Sequence, residues 1–145
     1  MALLHTATIA LHVLFAAAWF GLGLALPSLV RAVLAGAPPE TGRKAITAMN
    51  GSIVLFYVFA FSTWTIGMQG VLREQYNAWP YHTSISLGLV LVVVQFLLIW
   101  RGWKALAGQN PEVGRKRIAM GTGIGHAVWL TIFVLMYVGR GVVAV

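Results

Sequence analysis

Apolar residues run along this chain in four long blocks with short polar interruptions. The blocks are about Leu3 to Leu34, Ala45 to Gly70, Tyr81 to Trp103 and Ile118 to Gly139. Each is near or above the roughly 20 residues that an α-helix needs to cross a bilayer. They do not show the apolar–polar alternation of barrel strands, which cross in about 9 to 11 residues. In hydrocarbon every backbone N–H and C=O must be paired within its own segment, so continuous apolar runs of this length predict helices. The breaks carry ordinary turn residues: Gly36 to Gly42 with Pro38 and Pro39, Arg73 to Pro80, and Gly108 to Gly114 with Asn110 and Pro111. All three are short, which predicts sequential helices packed as antiparallel neighbours. The expected fold is all-α: one integral-membrane, antiparallel four-helix bundle over residues 1–145, without internal repeats or low-complexity tracts.

Composition agrees with that reading. Of 145 residues, 59% are hydrophobic and 9% charged, and the mean hydropathy is +0.84, which is too apolar for the surface of a soluble domain of this size. The absence of cysteine excludes disulfides, iron–sulfur clusters, thiolate metal sites and covalent haem attachment through Cys-x-x-Cys-His. Met1 to Leu11 carries no basic region and the apolar stretch continues past Ala35, so the first helix is expected to stay in the mature protein.

The net charge of +7 sits in the links. Positive-inside topology and anionic lipid headgroups account for it, and nucleic acid is not an expected partner. Arg31, Arg43, Lys44, Arg101, Lys104, Arg115, Lys116 and Arg117 flank the first and third links, against Arg73 and Arg140 at the opposite side. The imbalance predicts that both termini face out, in a bacterial-type cytoplasmic membrane crossed several times. Tyr76, Trp79 and Tyr81 near one face, and Trp100 and Trp103 near the other, are expected as interfacial belts. Glu40, Glu74 and Glu112, the only acidic residues, all fall in or beside links. No carboxylate is therefore available at bilayer depth for a proton or cation relay.

Tyrosines aside, four ionisable side chains remain within or at the edge of the apolar blocks: His5, His12, His82 and His126. Such groups are costly in a bilayer and are candidates for function. His5 and His12 are seven residues apart, on one helix face roughly 10 Å from each other. Counted from the helix ends, His5 and His82 are shallow, whereas His12 and His126 both fall near the midplane. Imidazoles at matching heights on different helices can ligate the two faces of a b-type haem. His12 with His126 is the expected axial pair, and His5 with His82 a second, which would give one or two haems. All four are candidate cofactor and metal ligands. Small residues near them, Ala16, Ala17, Ala18, Gly21 and Gly23 after His12, and Gly121, Gly123 and Gly125 before His126, would admit a macrocycle. Gly121 and Gly125 are equally a small-xxx-small helix-packing pair. Interhelical hydrogen bonding and copper are the competing uses of the midplane imidazoles. Gln95, Ser84, Ser86, Thr63, Thr65 and Thr131 are expected to bridge helices or meet haem propionates, Met68 and Met136 to pack or ligate, and Asn50 with Gly51 to cap or kink the second helix. Arg73 and Arg140 would sit at the outer rim as headgroup anchors or propionate partners.

Leu11-His12-Val13-Leu14-Phe15, Trp19-Phe20 and Leu26-Pro27 resemble the first helix of HemJ, the bacterial membrane-bound protoporphyrinogen oxidase family, and more loosely the small CopD-like membrane proteins. The similarity runs without gaps for about 17 residues, in the first quarter of the chain. It implies a small helical membrane protein in which His12 binds haem b. Thr83 stands where the family has a lysine, Val33 near the place of its second histidine, and Arg115 to Arg117 in place of its acidic segment. Those departures point to haem binding without porphyrinogen oxidation. The expected function is a membrane cytochrome b moving electrons to or from a quinone or a partner oxidoreductase. A porphyrinogen-oxidising enzyme and a copper-handling or structural subunit are the alternatives, and self-association is an expected partner interaction.

Overall fold

A chain with few places where its backbone can turn to water folds into four long rods. The computed structural model describes residues 2–70 and 72–141, with the backbone alone at 140 and 141, so the rim position expected for the Arg140 side chain lies outside the described residues. Helix α1 spans Ala2–Leu34 and α2 Glu40–Met68. A single turn, α3 (Arg73–Tyr76), leads into a third rod made of α4 (Trp79–Val94), a π-helical stretch (Gln95–Trp100) and α5 (Arg101–Leu106). The fourth rod is α6 (Pro111–Gly141). No strand occurs among the described residues, and all four rods are long and apolar enough to cross a membrane.

The rods outrun the apolar blocks that predict them, because charged residues continue a helix into water as readily as apolar ones. Helix α2 begins at Glu40, directly after Pro39, and α6 at Pro111 with Glu112 in its first turn. Proline lacks the N–H that a helix start leaves unpaired, and a carboxylate there complements the helix dipole. Glu40 and Glu112, expected in or beside links, are thus first-turn residues, paired with Arg43 at 2.6 Å and Arg115 at 2.7 Å in solvent. Helix α1 runs unbroken through Pro27. It ends where Gly36 takes a φ of +100° and the N–H groups of Gly36 and Ala37 bond back to Val33 and Ala32 at 3.0 Å. A left-handed residue closing a helix in this way favours glycine.

Around the bundle α1 contacts α2, α2 the third rod, the third rod α6, and α6 α1. This is the ring of sequential neighbours that short links impose. Two features hold it. Along the third rod and α6 the backbones touch: a Cβ on Gly114 would overlap the Leu106 backbone, and one on Gly121 would come within 2.8 Å of the Ile99 and Leu98 side chains. Gly125 in turn receives the rim of the Trp19 indole. The Gly121–Gly125 pair therefore serves helix packing.

The second feature is polar. Trp19 Nε1 donates to Gln95 Oε1 at 2.8 Å, and Gln95 Nε2 donates to Asn50 Oδ1 at 2.8 Å. Gln95 is 0% and Trp19 1% exposed. One chain of hydrogen bonds thus ties α1, the third rod and α2, while α6 touches the same indole. Asn50 does not cap α2, which continues through it as helix; its side chain accepts from Gln95, which bridges helices.

Three expected belt residues are core residues instead. Tyr76, Tyr81 and Trp103 are buried, their rings seated on Gly67, Gly139 and Gly42 respectively. Trp79 and Trp100 are exposed, as a belt requires.

Gln95→Leu removes the shared partner of Trp19 and Asn50. A loss of about 1–2 kcal/mol is expected, read as a lowered midpoint of unfolding in detergent; an unchanged midpoint would show that the bridge does not hold the bundle. Gly114→Ala is expected to cost more than Gly21→Ala, since a Cβ on Gly21 meets nothing within 4 Å. Equal midpoints for those two would refute the backbone contact.

Candidate functional site

Polar groups in an apolar bundle must find partners or a cavity. Among the described residues, the buried side-chain polar atoms without a hydrogen-bond partner are Thr63 Oγ1, Thr122 Oγ1 and His126 Nε2. All three belong to residues lining one of two cavities.

The first cavity, about 560 Å³, lies at the end of the bundle that carries α3. Helix α1 contributes His5 and His12, α2 contributes Phe56 and Thr63, and α6 contributes Trp129 and Met136. Its floor and walls are mainly apolar, with a few converging polar groups, as in most sites for organic ligands.

His12 is fixed from two sides. Its ring stacks on Phe56, with centroids 4.7 Å apart and planes at 24°. Its Nδ1 lies 3.4 Å from the Phe56 carbonyl oxygen, a long contact in which the imidazole N–H is the donor. That assignment leaves Nε2 with its lone pair and no hydrogen-bond partner among the described residues. A carbonyl holding one imidazole nitrogen so that the other can ligate is the usual support of a metal-bound histidine.

His5, two turns away, sits at the lip of the same cavity with its Nε2 3.0 Å from the Tyr76 hydroxyl. Tyr76 is held in turn by Trp64, whose Nε1 donates to the Tyr76 carbonyl at 3.1 Å. Tyr81 packs beside it with centroids 4.9 Å apart and accepts from Gln75 Nε2 at 2.8 Å. Gly67 and Gly139 make room for these two rings, since a Cβ on either would collide with the tyrosine. The lip is thus a built hydrogen-bonded rim.

The second cavity, about 380 Å³, lies between α1 and α6 toward the basic end. His126 lines it, with Thr122 one turn away and Arg31 and Arg115 also on its wall. The His126 ring lies 4.6 Å from Phe20 and edge-on to Trp19 at 6.2 Å, and a Cβ on Gly23 would sit 2.8 Å from its Nε2.

These contacts revise the pairing of imidazoles. His126 is level with Gly23, eleven residues beyond His12 on the same helix, or roughly 16 Å along the axis. His12 and His126 line different cavities and cannot share one iron. His82 is exposed, bonded to Asn77 Oδ1 at 3.3 Å and edge-on to Trp64 at 5.5 Å. It reaches the same link as His5 but does not line the first cavity. The histidines that the fold does bring together are His5 and His12. No group of three His, Asp or Glu side chains gathers round a common point among the described residues.

Thr122, Trp64, Tyr76 and Tyr81 escape a search confined to histidines. Thr122 carries one usable signal, its position four residues before His126 on the same helix face. No protein-family model, curated protein or solved structure matches the chain.

Proposed function

We propose that the chain is a multi-pass membrane protein that holds one haem b in the first cavity with His12 as axial ligand, and that it moves electrons between that haem and a quinone or a partner oxidoreductase. The observation that carries this reading is the His12 imidazole on the cavity wall, one nitrogen turned to the Phe56 carbonyl and the other free. The resemblance of the first helix to HemJ points to the same residue. One haem replaces two because the expected axial pairs do not meet. Met136 lines the same cavity, so a thioether would be available beside the imidazole to hold the iron, a ligand set that raises a haem's potential.

The residues present fit the group. Imidazole suits haem iron, the aromatic and aliphatic walls suit a porphyrin, and the unpartnered Thr63 hydroxyl shows a cavity that protein packing alone does not satisfy. When bound, haem iron supplies reversible one-electron chemistry. Phe56 fixes the His12 tautomer through its carbonyl and restrains the ring through its face. Trp129 and Phe133 line the cavity with aromatic surface against which a porphyrin face would pack. The rim of His5, Tyr76 and Gln75 offers polar contact where porphyrin carboxylates would emerge. Thr83 in place of the HemJ lysine speaks against porphyrinogen oxidation, and the lack of a three-ligand cluster among the described residues speaks against a bare copper ion.

The lysine and arginine asymmetry supports a bundle inserted with both termini and the 69–78 link outside the cytoplasm.

Purified protein supplied with haem is expected to show a Soret band and a reduced α band at one haem per chain. His12→Ala should abolish both, while His82→Ala and His126→Ala keep them. Loss of haem from His126→Ala with retention in His12→Ala would overturn the assignment. Because the chain has no native cysteine, single cysteines report topology cleanly. In intact cells Asn77→Cys should react with a membrane-impermeant maleimide and Asn110→Cys should not; the reverse pattern would invert the orientation.

A further inference from the structure

The second cavity contains chemistry that the haem reading leaves unused. Six other Ser or Thr hydroxyls in long helices donate to the carbonyl four residues back: Thr6, Ser62, Thr65, Ser84, Ser86 and Thr131. Thr122 does not, and its buried hydroxyl has no partner among the described residues. His126 Nε2, one turn on, is likewise buried and unpartnered. Two such atoms on neighbouring turns, lining one cavity, cost free energy unless something hydrogen-bonds to them.

The occupant's character follows from the surroundings. Gly123, Ala119 and Pro27 line the cavity and are exposed on the flank of the bundle, which is lipid-facing in a membrane, so the ligand enters from the hydrocarbon and is largely apolar. Among the described residues no carboxylate lines the cavity, which disfavours a cation. The Arg115 guanidinium is engaged by Glu112 at 2.7 and 3.0 Å, which weakens its claim on an anion. About 380 Å³ suits a ring-sized headgroup. His126 also ends a run of touching aromatic rings: His126 to Phe20 at 4.6 Å, then Phe20 to Trp129 at 4.5 Å, and Trp129 lines the first cavity.

We propose that the cavity between α1 and α6 binds the headgroup of a lipid-soluble quinone, its ring carbonyls hydrogen-bonded by Thr122 and His126. The aromatic run joins this site to the first cavity. That link rests on the haem reading, whereas binding of the quinone does not.

The test is titration of the purified protein with a one-isoprene ubiquinone, followed calorimetrically. Saturable binding at one per chain is expected. Thr122→Val combined with His126→Leu should weaken it by on the order of tenfold or more. Gly123→Leu should abolish it: Gly123 lies on the exposed side of the cavity and a Cβ there meets nothing within 4 Å, so a leucine obstructs entry with no clash in the helix, which keeps the test valid should the double variant fail to fold. His12→Ala should lose haem but keep quinone binding, so failure of the haem reading and failure of this one are distinguishable. Three results would overturn the proposal: no saturable binding by the wild type, binding unaltered by the double variant and Gly123→Leu, or displacement of the quinone by an anionic phospholipid in a manner lost in Arg31→Gln but not in the double variant.

Discussion

The hydrogen-bond chain from Trp19 through Gln95 to Asn50 is the constraint on which the rest of the bundle depends. In the lipid environment that four such apolar helices suggest, the tails are as apolar as leucine, so burial alone cannot choose one register of greasy rods over another. A buried amide with two committed partners can, because sliding any of the three helices by one residue strands an indole N–H or an amide in a place without water. Gln95 is also the first residue of the π-helical stretch. A π turn shifts the phase of a rod and often marks a functional position. Beyond it Leu98 and Ile99 face Gly121, and Gly102 meets Ile118, so the local irregularity and the close glycine seam belong to one arrangement.

That layer also divides the interior. Trp19 stands between the level of His12, seven residues before it, and that of Gly23, four residues after. One cavity opens toward the α3 end and the other toward the basic end, with Phe20 and Trp129 bridging their levels. Separation by a polar and aromatic layer gives each cavity its own lining, and an imidazole for each.

The four rods, their order and the lack of strands among the described residues were legible from the apolar blocks, since only helices can satisfy a backbone over such lengths in hydrocarbon. The relative heights of residues on different rods were not. Counting inward from helix ends assumes that the ends lie in one plane, but Gly23 is 21 residues from Ala2 whereas its neighbour His126 is 15 from Gly141. Among the described residues α1 and α6 are thus offset along the bundle by about six residues, roughly 9 Å, and that displaces His126 from His12. The role of a tyrosine near a helix end was equally hidden. Tyr76 and Tyr81 differ from belt residues only because glycines at 67 and 139, far away in sequence, leave their rings a seat. Such complementarity has no local signature.

The distribution of unpaired groups gives the two cavities their meaning. A chain this apolar carries few internal polar atoms, and most are answered: Gln95 by Trp19 and Asn50, Trp64 by the Tyr76 carbonyl, Ser84 by the carbonyl of Pro80. Were the unanswered atoms the residue of imperfect packing, they would be scattered through the helix contacts. Thr63, Thr122 and His126 instead all face space large enough for an organic ring. Replacing any of them by a purely apolar residue would relieve a desolvation cost of about 1–3 kcal/mol, at least if nothing ever binds there. Thr63→Val and Thr122→Val are therefore expected to raise the thermal midpoint of ligand-free protein in detergent. The same substitutions should narrow that gain when haem or quinone, respectively, is present, because only the wild-type hydroxyl gains a partner. A fall in the ligand-free midpoint would mean that these hydroxyls already contribute to the fold, and the cavities would then be gaps between helices rather than sites.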